Sequence, residues 1–298
     1  MKISQKESRE IAGELDVVIV NYNAGEKLRL CVESILASDG IRARCIVIDN
    51  ASIDSSVEFC RKYPPEQVLL VRNQVNIGFS SAVNQGIALG SGAWVMLLNP
   101  DTTVPEHSLR DLLREAHATG TRVGALGCLV RNPDGSEQRG CRRDIPTPAK
   151  ALAHAVGLQH IFPSLQFNHT GRALPLKIQP VDAISGSCML LNRQAHRDIG
   201  GFDEDYFLHF EDLDYCVRLH ATNWQVMFVP FIQIEHLQGV SSAQSPVKVI
   251  LHKHRSMLRF FNKHAGSQRM LLPILVPLVA LRAFMQIAAV CCKKIIQR

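Results

Sequence analysis

After Glu235 the chain contains no acidic residue, although ten Lys and Arg side chains follow that position. The part before them carries 23 basic and 27 acidic side chains, so a near-neutral body is joined to a purely basic tail. Such a distribution of charge indicates an anionic partner surface, either a membrane or a nucleic acid. Because the tail also contains a long apolar run, the sequence favours the membrane and gives no support for nucleic-acid binding.

Several motifs that identify common protein classes are missing. The chain has no Walker sequence, no GxGxxG after its first apolar run and no GxSxG, so ATP, nicotinamide and hydrolase sites are unsupported. It has no CxxC pair among its nine cysteines, several of which lie in apolar runs, and we expect reduced core cysteines rather than zinc ligands or disulfides. The polar N-terminus lacks the apolar segment of a secretory signal, which predicts a cytoplasmic protein.

The first half of the chain alternates between two hydrophobic periods. Short apolar runs rich in β-branched residues predict buried strands at residues 16–20, 45–48, 68–71, 94–98 and 123–130. Apolar residues spaced three and four apart predict helices over 28–36, through Val57 and Phe59, over 82–87 and over 108–118. This alternation predicts an α/β fold with a mostly parallel sheet and helices on both faces.

Polar clusters follow three of the predicted strands. They are residues 21–23 (Asn-Tyr-Asn), 49–50 (Asp-Asn) and 99–101 (Asn-Pro-Asp). One such cluster alone is more typical of a turn or a helix N-cap. Three at the same edge of one sheet favour a shared ligand site, because open α/β sheets bind ligands beyond the carboxyl ends of their strands. Residues 131–180 lack clear periodicity, and we interpret them as an insertion over that site.

A second polar cluster precedes an apolar-periodic segment. Glu211, Asp212 and Asp214 place three carboxylates within four residues, and their mutual repulsion needs a metal, a base role or cationic partners to offset it. The alternative is an ordinary helix start, where acidic residues favour the positive end of the dipole and Asp214 pairs with Arg218.

Taken together, these segments resemble glycosyltransferase family 2, whose members have the GT-A fold, and in particular its bacterial rhamnosyltransferase-type branch. The matching segments occur in the family's order: VVIVNYN, VIDNAS, NIGFSSAVNQGI, LLNPDT, SGSCMLL, GGFDEDYFLHFEDLDYCVRL and IEH. The resemblance implies a Rossmann-like GT-A transferase domain over residues 14–240. Residues 241–298 then form a basic, apolar helical tail that associates with a membrane.

The resemblance also implies a divalent cation, Mg²⁺ or Mn²⁺, that neutralises the diphosphate of a nucleotide-sugar donor. Asp101 matches the last Asp of the family's DxD element, and His236 matches a histidine that completes the metal site. The first position of that element is Asn99 here, so the loop supplies only one carboxylate. Without the resemblance, His236 would be interpreted as a structural histidine.

Further donor contacts follow from the same matches. Asp49 matches the acid that contacts the pyrimidine base, and Gly78 is expected to permit a close approach of the backbone. The complete set of predicted donor-binding residues is Asn21, Asp49, Asn76, Gly78, Asn84, Asn99 and Asp101.

Asp212 matches the general base that takes the proton of the acceptor hydroxyl. Glu211, Asp214 and Gly186 are expected to support it, or to contact the acceptor. The implied reaction is an inverting transfer, from dTDP-rhamnose or a UDP-hexose, to a lipid-linked saccharide used in cell-surface polysaccharide synthesis. The alternatives are a UDP-hexose transferase acting on a soluble or protein acceptor, and a catalytically silent binding subunit.

The tail contains a 22-residue apolar segment, residues 271–292, which has nearly the length that spans a bilayer. Arg282 lies near its centre, where a charge is costly, and Pro273 and Pro277 interrupt its first half. Arg282, Gln286 and Lys293 form one narrow helical stripe, which favours a helix lying in the membrane interface. We therefore expect peripheral or monotopic attachment to an anionic inner membrane face. A true span and packing in a homodimer remain alternatives, and residues 249–261 predict a second amphipathic helix.

Overall fold

The structure is a computed structural model that describes residues 13–120, 122–155, 157–158, 161–237 and 246–296. Of residues 163 and 293–296 only the backbone is described. Three features inferred from the sequence therefore lie outside the described part: the polar segment 1–12, the domain boundary at residues 240–241 and the side chain of Lys293.

The first half of the chain forms the parallel part of the sheet. Its strands are β1 (Glu14–Asn21), β2 (Arg42–Asp49), β3 (Val68–Arg72) and β4 (Trp94–Leu98), in the spatial order β3-β2-β1-β4. Residues 17–19, 45–48 and 95–98 are fully or almost fully buried, as expected for apolar strands covered on both faces. The connecting helices are α1 (Glu26–Leu36), α2 (Phe79–Ala88) and, after β4, α3 (Ser108–Ala118).

The chain after β4 extends the same sheet with both parallel and antiparallel strands. Its strands are β5 (Thr102–Thr103), β6 (Val123–Arg131), β7 (Arg142–Arg143), β8 (Gln179–Pro180), β9 (Ala183–Ile184), β10 (Cys188–Asn192) and β11 (Gln225–His236). Strand β10 runs antiparallel between β4 and β6, whereas β6 and β11 are parallel. Nine strands of the described chain make up this sheet, and β7 and β9 pair separately. The α/β class predicted from the sequence is confirmed.

The remaining helices are α4 (Pro148–Ala155), α5 (Arg193–Asp198), α6 (Glu211–Ala221), α7 (Pro246–His264) and α8 (Leu272–Ile296). All five predicted strands are present, but the predicted α-helix through Val57 and Phe59 is wrong. That segment forms a short 3₁₀ helix, Glu58–Lys62, which ends just before Pro64 and Pro65. A residue that precedes proline is sterically disfavoured in the α-helical region, which leaves too little chain for a longer helix.

Helix α7 is fastened to the body of the protein. Phe260 is fully buried, and the Ser256 hydroxyl donates a hydrogen bond of 2.9 Å to the Leu208 carbonyl. Arg259 and Lys263 both form ion pairs with Asp203, at 3.0 and 2.6 Å. The first part of the basic tail is therefore packed against the loop that leads into α6.

Helix α8 is mostly exposed, yet one stripe of it faces the body. A 27-residue segment, Gly266–Cys292, is long and apolar enough to cross a membrane, with mean hydropathy 2.1. Leu275 and Val279 are buried, and Arg282 follows them at helical spacing and lines the same cavity as both. Arg282 is itself exposed, and the interfacial orientation of this helix stays a prediction.

Candidate active site

Asn21 and Asp49 lie at the carboxyl ends of β1 and β2, where the parallel register pairs them directly. Asp49 is 0 % exposed, and its carboxylate accepts hydrogen bonds from the Asn21 amide at 2.8 Å and from the Arg72 guanidinium at 3.3 Å. The Asn21 amide also contacts the Ser52 and Ser56 hydroxyls. Asn21 therefore lies behind Asp49 and fixes it in place, and Arg72 is the half-exposed partner of that carboxylate.

Asp101 and His236 are brought together although 135 residues separate them. Nε2 of His236 is 2.8 Å from Oδ1 of Asp101, and both residues are about nine-tenths buried. On the other side of the ring, Nδ1 of His236 is 2.7 Å from the side-chain oxygen of Gln138, which is only 4 % exposed. The Asn99 amide is 3.4 Å from Nε2. Asn99 and Asp101, which follow β4, thus both lie close to Nε2 of His236 at the end of β11.

The Asp101–His236 pair fits a divalent cation. A histidine that binds a metal usually donates its other ring N–H to a fixed acceptor, and the Gln138 oxygen is such an acceptor, which leaves Nε2 free to coordinate. Two protein ligands are few, but Mg²⁺ sites commonly combine one or two carboxylates with phosphate and water. Elsewhere in the described chain, three potential ligands converge only at Asp39, Glu106 and His107, which are exposed and outside this site.

A short loop connects the Asp101–His236 pair to the predicted base, Asp212. The Asn99 backbone N–H donates to the Ser187 carbonyl at 3.1 Å, and the neighbouring Gly186 N–H donates to Oδ2 of Asp212 at 3.0 Å. A Cβ on Gly186 would lie 3.3 Å from that of Asp212, so a larger residue would push the carboxylate aside. The residues that the sequence assigned to the metal and to the base therefore line adjoining parts of one site.

Asp212 is held in a defined orientation at the start of α6. Its Oδ1 accepts a hydrogen bond from the Leu213 N–H at 2.8 Å, and its Oδ2 accepts from Gly186 and forms an ion pair with Arg143. The hydrogen bonds from Gly186 and Leu213 come from the backbone, which is held in place by the fold. Arg143, in contrast, has a long side chain that can exchange partners. Arg143 lies in the segment 131–180, in which the sequence showed no site signal.

Glu211 is the neighbouring carboxylic acid, and it has a different environment. Burial, followed by repulsion from Asp212, raises the pKa of Glu211 to about 8, and its Oε2 has no hydrogen-bond partner among the described residues. Glu211 is therefore mainly neutral near pH 7. The repulsion expected from adjacent carboxylates is relieved here by protonation of one of them.

Asp214 is fully buried. Arg218, Lys263 and His264 each approach its carboxylate at 2.7 Å. Burial alone would raise the pKa of Asp214, but the hydrogen bonds from His264 and Lys263 and the charge of Arg218 outweigh it and hold that pKa well below its usual range. Asp214 therefore joins α6 to α7 through these ion pairs.

The predicted donor residues on and before α2 contact a protein loop. The Asn84 amide exchanges two 2.9 Å hydrogen bonds with the backbone of Phe202. Gly78 has φ of 89°, and a Cβ there would lie 2.9 Å from the Phe207 ring, so the close backbone approach that Gly78 permits is to Phe207. Asn76 closes this turn by accepting from the Gly78 N–H at 3.0 Å. Asn84 and Gly78 therefore contact the loop before α6, and Asn76 closes the turn at Gly78.

That loop ends in two consecutive residues with left-handed backbone conformation, His209 (φ 67°) and Phe210 (φ 68°). Non-glycine residues in this region are strained, and such strain clusters at functional sites. Burial, followed by the charge of Lys253, lowers the pKa of His209 to about 4. A neutral imidazole thus lies beside the start of α6, next to Asp212.

The fold and the site define a class of enzyme. A mannosyltransferase from Pyrobaculum calidifontis, in complex with GDP-Man and Mn²⁺, superposes with a TM-score of 0.58 over 92 % of this chain and 75 % of its own, at 16 % identity. GalNAc-T7 with UDP, GalNAc and Mn²⁺ gives a TM-score of 0.56 over 80 % of this chain and 47 % of its own, at 16 % identity. The sheet and its helices therefore have the GT-A fold of sugar transferases.

The sequence specifies the family. The sequence model of Glycosyl transferase family 2 matches residues 16–200, and the chain belongs to that family. An N-acetylglucosaminyl-diphospho-decaprenol L-rhamnosyltransferase of Mycobacterium tuberculosis is 33 % identical to it over an alignment of 270 residues that covers 86 % of each chain. The resemblance to rhamnosyltransferase-type members is confirmed, and the protein is a glycosyltransferase.

Proposed function

We propose that this protein transfers a rhamnosyl group, with inversion, from dTDP-rhamnose to a hydroxyl of a lipid-linked saccharide at the inner face of a membrane. The observation that carries the proposal is the 33 % identity to the mycobacterial rhamnosyltransferase over 86 % of both chains. That match covers more of the chain than the family model, which extends over residues 16–200. The name of that relative specifies a rhamnosyl group and an N-acetylglucosaminyl-diphospho-decaprenol acceptor.

On the donor side, Asp101 and His236 would hold Mg²⁺ or Mn²⁺ against the diphosphate, with Gln138 orienting the imidazole. Such a cation neutralises the negative charge that develops on the leaving nucleotide diphosphate. Asn99 is within reach of the same ring and would contact the phosphate or ribose. Asp49 would recognise the pyrimidine base, since its exposed partner Arg72 can move aside while Asn21 keeps the carboxylate in place.

On the acceptor side, Asp212 would act as the general base. The acceptor hydroxyl passes its proton to the Asp212 carboxylate while its oxygen forms a bond to the anomeric carbon. The bond between that carbon and the diphosphate oxygen breaks, and its electron pair leaves with the nucleotide. The backbone N–H groups of Gly186 and Leu213 hold the carboxylate in position throughout. Neutral Glu211 adds no competing negative charge near the base.

The tail would attach the enzyme to the membrane. The exposed face of α8 carries large apolar side chains, including Ile274, Leu281 and Phe284, which are 53–70 % exposed. Its neighbouring cations would add attraction to anionic lipid. We therefore propose a cytoplasmic enzyme, peripheral or monotopic on the membrane.

A transfer assay tests the proposal. The full chain in detergent is incubated with Mg²⁺, a lipid-linked N-acetylglucosaminyl diphosphate and a panel of donors (dTDP-rhamnose, UDP-glucose, UDP-galactose and UDP-N-acetylglucosamine). Mass spectrometry should show a deoxyhexose added to the lipid product from dTDP-rhamnose only. Efficient transfer from a UDP-hexose instead would support the alternative donor, and turnover of no donor on any acceptor would support a binding subunit.

A further inference from the structure

A cavity of about 670 Å³ lies between the start of α6 and the helices of the tail. Its lining includes Asp212 and Arg143, together with Lys253 of α7 and Arg282 of α8. Asp101 and His236 do not line this cavity, so it is separate from the proposed cation site. The predicted base thus faces a second compartment, which is open to whatever presents the acceptor hydroxyl.

The charged residues that line the cavity have an excess of positive charge. Arg139, Arg143, Lys253 and Arg282 line it, whereas its acidic residues are Glu211 and Asp212. Arg143 pairs with Asp212, but no ion pair involves the other three cations within the described chain. Burial, together with the charges of Arg282, Arg139 and Arg143, lowers the pKa of Lys253. Cations that repel one another in a protein site are stabilised by a bound anion with more than one charge.

Apolar side chains of the tail helices also line the cavity: Met257, Phe261, Leu275, Leu278, Val279 and Met285. Met285 is 55 % exposed, so this apolar lining reaches the exposed face of α8. A ligand that matches the whole lining carries a multiply charged group next to a hydrocarbon chain.

We propose that this cavity binds the acceptor through its lipid diphosphate, with Lys253, Arg282 and Arg143 holding the diphosphate and α8 holding the first prenyl units. The proposal rests on the proposed function, which requires a lipid-linked saccharide acceptor. The diphosphate competes with Asp212 for Arg143, so an arriving acceptor frees the base that will deprotonate it. It also gives the charged residue within the apolar run of α8 a role, because Arg282 lines the cavity.

Direct binding of a soluble probe tests the assignment without any transfer reaction. Farnesyl diphosphate binding to the full chain in phosphatidylcholine nanodiscs is measured in excess chelator, which weakens the donor's diphosphate site. Wild-type protein should bind farnesyl diphosphate at least tenfold more tightly than farnesol or inorganic pyrophosphate. Lys253→Gln and Arg282→Gln should each weaken binding about tenfold, because each removes a charge-assisted contact to the diphosphate.

Lys248→Gln on α7 and Arg269→Gln before α8 are the matched controls, since neither residue lines the cavity. Both controls should bind farnesyl diphosphate like the wild type, and dTDP affinity measured with Mg²⁺ should be equal in all five proteins. Thermal unfolding is measured for each protein to confirm that it is folded. Unchanged farnesyl diphosphate binding in both cavity variants would overturn the proposal.

Two outcomes distinguish acceptor binding from phospholipid binding, and failure of the cavity assignment from failure of the proposed function. If the cavity variants lose co-sedimentation with phosphatidylglycerol vesicles while farnesyl diphosphate binding is unchanged, the cations hold a membrane phospholipid and the acceptor assignment is wrong. If the wild type binds farnesyl diphosphate through these cations but transfers no sugar to a lipid-linked saccharide, the proposed function fails and the cavity assignment stands.

Discussion

Replacing Glu211 with glutamine should stabilise the protein, and the gain should depend on pH. Burial and the neighbouring Asp212 raise the pKa of Glu211 from 4.5 to about 8. A carboxyl group whose pKa is raised in the native state binds its proton more tightly there than in the unfolded chain. The stability that it contributes is therefore complete below pH 4.5 and is lost as the pH rises toward 8.

The size of the stability difference follows from the interval between the pKa of Glu211 in the unfolded chain and its pKa in the native state. At pH 7 the unfolded chain has ionised Glu211, whereas the native state still retains most of the proton. One pH unit corresponds to about 1.36 kcal/mol, so the interval between pH 4.5 and pH 7 is worth on the order of 3 kcal/mol. Glutamine is uncharged at every pH and avoids this loss. At pH 5 the difference between the two proteins should be below about 1 kcal/mol.

Urea unfolding of the full chain in a mild detergent, at pH 5, 6, 7 and 8, measures this difference. The midpoint of Glu211→Gln should exceed that of the wild type increasingly from pH 5 to pH 8. Glu66→Gln, at an exposed position, is the matched control and should show no such trend. A stability difference that does not vary with pH, or a variant that is less stable at pH 8, would refute this account of the acidic cluster.

Three further predictions concern the base, the cation and the tail. Asp212→Asn should lower transfer about 10²–10⁴-fold with little change in donor affinity, which steady-state kinetics and nucleotide titration measure separately. Gln138→Leu should raise the Mg²⁺ concentration needed for half-maximal activity roughly 10–100-fold, as His236→Ala should, and excess chelator should abolish transfer. A chain ending at Gly266 should stay in the supernatant with anionic vesicles while the full chain sediments with them, and salt should weaken that binding without abolishing it. Full activity in excess chelator would contradict the role of the cation. Equal sedimentation of both chains would contradict the role of the tail as a membrane anchor.

The periodic parts of the fold could be predicted from the sequence, because a strand that is buried on both faces consists almost entirely of apolar residues. The runs at 16–20, 45–48 and 94–98 are apolar throughout, and each forms a central strand. The antiparallel direction of β10 between β4 and β6 could not be predicted, because an apolar run has the same composition in either direction. The segment at 58–62 forms a short 3₁₀ helix and not the longer helix that its apolar residues predict, because Pro64 and Pro65 follow it.

The site was predicted less completely, for a physical reason. Asp101, His236 and Asp212 belong to ordered motifs, whereas Gln138 and Arg143 reach the site from a segment without periodicity. A polar residue in such a segment looks like any other loop residue until tertiary contacts bring it to a partner. The motifs also do not reveal which residues touch ligand and which hold other residues.

Asn84 and Asp214 illustrate that second limit. Each lies inside a matching motif, yet Asn84 is bonded to the backbone of Phe202 and Asp214 is bonded to α7. The same limit applies to Arg282, which in sequence is only a charge within an apolar run. Its position against the cavity depends on how α8 packs, and no local pattern encodes that.

The central claim is an inverting rhamnosyl transfer to a lipid-linked saccharide, and the anomeric configuration of the product tests it most directly. The product formed from dTDP-rhamnose and a lipid-linked N-acetylglucosaminyl diphosphate is isolated, and its one-bond carbon–proton coupling at the new anomeric centre is measured by NMR. The account predicts a rhamnosyl residue whose anomeric configuration is opposite to that of the donor. A product with the donor's configuration, or with a sugar other than rhamnose, would contradict it.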